Sequence, residues 1–441
     1  MTAESHTPEN SPAENGDGAM HFIPILKADL IAALALEGID KADLANFHTL
    51  CGFLGAYFHH DFYDELTELR DLYAWFSPQG PRPLRRDDRD AEGAYKSLIS
   101  TFESVMARAN FQELPKASVD ALGGDHPLLD VKTRTPFEAY ETVRIFYRGH
   151  RKQTVTQATA LGFKGKQLTL DGYDDVVVLV RFRRDTNQKR KGLSLTRGRQ
   201  ALPGNAEPGS IMVKSFRNIS HIELPMLLPE VKVVMSRTDA LLLGGPAVLG
   251  SIPIMLNIVP ALSVVLLVIG AYLGISGAVT QDKLMKAVGA LSVIIGAGAF
   301  MFRQYSNYSF RKLKYQKKVS DNIYFKNINN DAGVFDTLIG TAEDQEVKEV
   351  ILAYHALLAF GPVAHAGELD RRIESWLKAT FGFTVDFDVS DALSKLEGLG
   401  FLTQKEGKIA VIALPDALAR LDTLWDRLYD FAHGAKVDAA A

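Results

Sequence analysis

A single cysteine, Cys51, is all that the 441 residues contain, so no disulfide can form within the chain, and a small disulfide-built secreted scaffold is excluded. Charge of one sign is also missing. The 49 Lys and Arg stand against 53 Asp and Glu, a net charge of −4, which excludes an overall electrostatic footprint for nucleic acid and leaves only local patches. Met1–Met20 hold no Lys, no Arg and no apolar run. Neither a secretory signal nor an Arg-rich transit peptide is built that way, and the expectation for residues 1–20 is a disordered tail. The most informative absence lies between Ala240 and Thr280, where no side chain is charged.

A bilayer core about 30 Å thick takes roughly 20 apolar residues of helix. The uncharged run is long enough for one crossing and an approach. Pro246, Pro253 and Pro260 divide it, so the regular crossing is expected near Pro260–Ala278, with Leu241–Ile258 broken or interfacial. After a polar break at Thr280–Lys286, Ala287–Phe302 is uncharged again and is expected to return as a second arm. The expectation is a two-helix transmembrane hairpin over residues 237–303. Lys232 and Arg237 precede it. Arg303, Arg311, Lys312, Lys314, Lys317 and Lys318 come after it, so both soluble portions are placed on the cytoplasmic side. Gly270 and Gly274, and Ser292 and Gly296, are small residues at helical spacing, which leaves packing within the hairpin or a homo-oligomer open.

The soluble segments differ in pattern. Residues 21–130 read as helical: Phe58, Phe62, Leu66, Leu69, Tyr73 and Phe76 recur at three- and four-residue steps. Residues 131–236 read as β-rich, with strands at Thr142–Tyr147, Gln167–Leu170, Val176–Phe182 and Ile211–Phe216, and turns at Gly165 and Asp171-Gly172. A stalk or linker over 304–340 comes after the hairpin. A winged-helix-like domain is expected over 341–433, in the order helix, helix, helix, β-hairpin, helix, before a tail at 434–441. From Thr341 to Ala441 there are seventeen acidic and ten basic residues, a net −7 that would repel a phosphate backbone; no nucleic-acid partner is expected. The fold class is therefore an α+β membrane protein.

Candidate chemistry is sparse. His59-His60-Asp61 has two imidazoles pointing apart on a helix, unsuited to one ion. Arg148 and His150 close a predicted strand and form the one candidate site of unknown role. Glu343, Asp344, Glu346 and Glu349 read as acidic residues complementing the positive end of a helix that starts at Thr341. The basic segment with Arg183, Arg184, Lys189, Arg190 and Lys191, like the run Arg311, Lys312, Lys314, Lys317 and Lys318, suits anionic lipid headgroups. No cofactor and no metal ligand set is expected.

Five segments resemble the transmembrane protein 143-like family, whose shared region is a domain of unknown function. They are HFIPILKADLIAAL from His21, FHHDFYDELTELRDLYAWFSP from Phe58, IFYRGHRKQ from Ile145, SIMVKSFRNISHIELPMLLPEVKVVMSRTDALL from Ser210 and GVFDTLIGTAEDQEVKEVILAYHALL from Gly333. The resemblance implies a membrane protein and carries over no activity or catalytic residue. The non-basic N-terminus resembles a bacterial member, in an inner membrane. The reading that results is a non-enzymatic membrane-anchored interaction protein presenting its soluble parts to a protein partner. The alternatives are a membrane-tethered enzyme acting on a lipid or surface substrate, with Arg148 and His150 in its site, and an oligomeric pore, which the lack of charged residues within the crossings weakens.

Overall fold

The computed structural model describes residues 19–78, 88–122, 131–157, 166–184, 206–229, 232–235, 262–263, 265–274 and 280–428. In chain order the elements are α1 (Lys27–Ala35), α2 (Leu44–Tyr73), α3 (Asp88–Arg108), β1 (Gln112–Glu113), α4 (Lys116–Ala121), β2 (Val131–Arg134), β3 (Tyr140–Gln157), β4 (Lys166–Phe182), β5 (Ile211–Ser220), β6 (Lys232–Met235) and α5 (Gln281–Tyr324). Then come β7 (Asn327–Asn330), α6 (Ala332–Ala359), α7 (Ala366–Phe381), α8 (Val389–Gly398), β8 (Leu402–Lys405), β9 (Lys408–Val411) and α9 (Leu414–Asp426). They form two compact units. The first takes the chain up to Asp120, Glu138–Glu223 and everything from Lys326; the second takes Ala121–Phe137 and Leu224–Phe325.

In the first unit, α2 buries Phe47, Leu50, Leu54, Phe58, Phe62, Leu69 and Tyr73 along one helical stripe. Its partner is α6, which is buried on nearly every side over Val347–Leu357 and contributes to two cores. One core joins α1 and the first half of α2 to α6, α7, α8 and α9, through residues such as Leu34, Phe47, Tyr354, Leu396 and Leu421. The other joins the second half of α2, α3 and the sheet to the start of α6, through Phe62, Phe102, Phe146, Leu179 and Phe335. The C-terminal elements do keep the order helix, helix, helix, hairpin, helix, but they close their core together with the N-terminal helices.

The sheet is antiparallel throughout, in the order β1-β3-β4-β5-β7. β4 is one strand where two were expected. Asp171-Gly172 is not a turn: Gly172 pairs with Arg151 on one side and Ser220 on the other. Ladder pairing on both edges overrides the local turn preference. The helix expected to start at Thr341 starts instead at Ala332. Thr337 and Thr341 do not cap it; their hydroxyls donate to the carbonyls of Gly333 (3.3 Å) and Thr337 (2.7 Å) within the helix.

In the second unit β2 pairs antiparallel with β6. The two-helix transmembrane hairpin expected over 237–303 is not what the structure holds. Among the described residues one helix, α5, is long and apolar enough to cross a membrane, through Leu284–Asn307. The expected second arm does not stop at Phe302. With no Gly or Pro between Arg303 and Tyr324, the helix runs on for 44 residues in all, about 66 Å. Of the first arm, residues 236–261, 264 and 275–279 lie outside the described residues. The described part is helical to Tyr272 and turns at Leu273 and Gly274, short of Ala278. Gly274 sits at φ +73°, where the Leu273 and Gly274 amides donate to Ile269 and Ala271 carbonyls.

Candidate functional site

Within the first unit a cleft of about 880 Å³ opens between the sheet and α6. Its sheet wall is built by cross-strand pairing. Arg148 of β3 lies opposite Asp175 of β4, which lies opposite Arg217 of β5. Their side chains keep the same order: Arg148 Nη2 reaches Asp175 Oδ2 at 2.6 Å, and Arg217 Nε reaches Asp175 Oδ1 at 3.3 Å. The Arg148 guanidinium also lies over the rings of Phe22 (4.7 Å) and Phe111 (5.2 Å). A second pair, Arg151 and Asp174, stands beside the first at 3.2 Å. Burial pushes the Asp174 carboxyl up, opposed by Arg151 and Arg148.

Asp174 has room because residue 149 is glycine. A Cβ there would fall 2.1 Å from Asp174 Oδ2, and Gly149 holds φ +69°. The pairing register runs through this left-handed residue unshifted, from Arg148–Asp175 to His150–Tyr173. Arg148 lines the large cleft. His150, half exposed and 3.1 Å from Asp171, joins Arg148 only at a smaller cavity of about 250 Å³ beside Tyr147 and His21.

The opposite wall is α6, through Thr337, Thr341, Asp344, Gln345 and Lys348. An extended segment around Ile23 is laid against it. Gln345 Oε1 accepts from the Ile23 amide (3.0 Å), its Nε2 donates to the Ile23 carbonyl (3.2 Å), and Lys348 Nζ donates to the same carbonyl (3.3 Å). Burial lowers the Lys348 pKa, against the opposing pull of Asp344, 2.5 Å away. Sequence reasoning missed this wall, because Asp344 reads as one of the acidic residues complementing the positive end of a helix that starts at Thr341, and nothing in the local pattern singles out Lys348. The cleft carries paired charges of both signs with hydroxyl and amide groups between them. Such a surface recognises a polar partner by exchanging ion pairs and hydrogen bonds.

The remaining candidates are scattered. His59 points to Glu343 (2.9 Å), Asp61 to Arg108 (3.1 Å), and His60 toward the Trp425 ring. Arg183 Nε donates to the Tyr140 carbonyl (3.0 Å) and Arg184 pairs with Glu92 (2.9 Å), whereas Lys189, Arg190 and Lys191 lie outside the described residues. Arg311, Lys312, Lys314, Lys317 and Lys318 all lie on α5. Cys51 is buried, and that burial pushes its thiol up to about 12, far from a reactive thiolate. Among the described residues no group of three or more His, Cys, Asp or Glu side chains is placed to hold a metal ion.

Residues 173–333 match a family model described as a protein of unknown function (DUF3754). The match runs from β4 to the start of α6, so it contains Asp174, Asp175 and Arg217 of the cleft and the whole of α5, and leaves out Arg148 and Lys348. It bears out the domain of unknown function and leaves the transmembrane protein 143-like assignment aside. No solved structure matches the chain.

Proposed function

We propose that this is a non-enzymatic, membrane-attached interaction protein, held to the bilayer through α5 and engaging a partner at the polar cleft of its first unit. The observation that carries the reading is the surface of α5. Leu284, Val288, Leu291, Ile295 and Phe302 form one exposed stripe, Ile295 at 63% and Phe302 at 72% exposure. Met285 and Met301, also exposed, stand about 100° to either side of that stripe. An uncovered apolar surface of this extent needs lipid or a protein against it. Lipid is favoured by the basic run from Arg303 to Lys318 at the end of the apolar stretch, suited to anionic headgroups and to a cytoplasmic position. The resemblance to the transmembrane protein 143-like family agrees with this.

Connectivity adds a constraint. β5 precedes the excursion through α5 and β7 comes after it, yet the two strands pair in one sheet. Both flanks of that excursion therefore stay on one side of any membrane.

The test is membrane fractionation of the full chain. The protein is expected in the pellet after alkaline carbonate extraction. Leu291→Lys/Ile295→Lys is expected to release most of it, since a lysine at mid-membrane costs about 2.5–3.5 kcal/mol. A wild-type protein found in the supernatant of detergent-free lysate, monodisperse and compact, rules the reading out.

A further inference from the structure

Away from the cleft, seven ionisable side chains meet where α2, α3, α6 and α8 converge. Arg108, at the end of α3, is reached by Asp61 (3.1 Å), Glu65 (2.7 Å) and Glu346 (2.9 Å), and its guanidinium lies 3.7 Å over the Phe62 ring. Lys395 of α8 is reached by Glu346 (2.5 Å), Glu349 (2.9 Å) and Asp391. Asn110 donates a further hydrogen bond to Glu349 (3.2 Å). Glu346 is the bridge, with Oε1 on Arg108 and Oε2 facing Lys395.

The charges do not balance. Asp61 and Asp391 are about half exposed and keep their water. Inside them, Glu65, Glu346 and Glu349 share two cations, and the Glu346 and Glu349 side chains are only 2% and 8% exposed. The interior therefore carries one negative charge in excess, which one proton neutralises. An isolated charge in such a place is strongly disfavoured. The charged neighbours along α6 supply no third cation, being matched pairs already: His59 with Glu343, and Lys348 with Asp344. Glu65 Oε2 is buried with no hydrogen-bond partner among the described residues, a poor site for an anionic oxygen.

We propose that this interior cluster takes up one proton, and that losing it on alkalinisation loosens α8 from α6, so that seating of the C-terminal helices is proton-dependent. Burial raises the carboxyls of both Glu65 and Glu349, opposed by Arg108 and Lys395 respectively. That direction fixes the sign. With α8 seated, Glu349, which faces Lys395 of α8, binds a proton above its ordinary pKa; with α8 released it returns to water and does not. Seating takes up a proton, and its stability falls as pH rises from the ordinary glutamate value to the raised one.

The experiment is amide hydrogen exchange of Val389–Gly398 in the full-length protein between about pH 5 and 8, the range that opens above the ordinary glutamate value, corrected for intrinsic exchange. One-proton linkage gives an opening constant that grows by up to about tenfold per pH unit. Glu65→Gln/Glu349→Gln is expected to flatten that dependence. Should the double variant fail to fold, the more peripheral Glu65→Gln alone is expected to reduce the slope. A flat wild-type profile, or a wild-type slope retained in these variants, overturns the proposal.

Discussion

Lys395→Met is expected to lower the unfolding free energy by about 3–5 kcal/mol, the usual effect of removing one partner from a buried ion pair. The methionine fills the volume of the lysine stem but leaves Glu346 and Glu349 facing apolar surface. Arg108 still answers Glu346 (2.9 Å), and Asn110 still donates to Glu349 (3.2 Å), so the loss falls chiefly on the Glu349 carboxylate. In the wild type, burial works against the Lys395 charge, yet Glu349 and Glu346 outweigh it and hold its pKa above the usual range. Denaturant unfolding of the full chain reads the change. Adding Glu349→Gln to Lys395→Met removes the stranded anion and is expected to restore part of the loss. Losses that simply add would mean that Lys395 and Glu349 do not sense each other, and a loss under about 1 kcal/mol for Lys395→Met would place the pair effectively in water.

Local signals found the elements that are locally determined. The aromatic stripe of α2 is a helical period written in the sequence. The β8–β9 turn is written as Lys405-Glu406-Gly407, where Glu406 and Gly407 take φ +56° and +75°. What failed to be legible depends on partners far along the chain. The acidic run of α6 reads as a first turn near Thr341 because nothing nearby neutralises it. Its real counterions are Arg108, 238 residues before Glu346, and Lys395, 46 residues after Glu349. The candidate site shows the same division. Arg148 is conspicuous just past the predicted strand Thr142–Tyr147, but β3 runs on to Gln157 and places it mid-strand, and splitting β4 at Asp171-Gly172 hid Asp175, the residue 27 positions on that holds it. The hairpin failed for a related reason: an uncharged stretch fixes hydropathy, whereas where a helix stops is decided by residues such as Gly274, and α5 meets none after Phe302.

Gly149→Ala is expected to destabilise the chain by about 2–5 kcal/mol, from two sources that can be separated. The first is backbone: an L side chain at φ +69° costs on the order of 1–2 kcal/mol. The second is collision. The new methyl would stand 2.1 Å from Asp174 Oδ2 and 2.7 Å from its carboxyl carbon, and overpacking of this kind costs about 1–3 kcal/mol. Asp174 cannot simply turn away, since Arg151 holds it at 3.2 Å and the strand pairs on both sides. Asp174→Ala alone removes a carboxylate that burial already disfavours, so its own effect is expected to be smaller. In Gly149→Ala/Asp174→Ala the collision is gone and only the backbone contribution remains, which makes the double variant more stable than Gly149→Ala. A double variant no more stable than the single one would mean that Gly149 serves only its dihedral angle. Asp174 would then owe its place at the cleft to Arg151 rather than to the gap that glycine leaves.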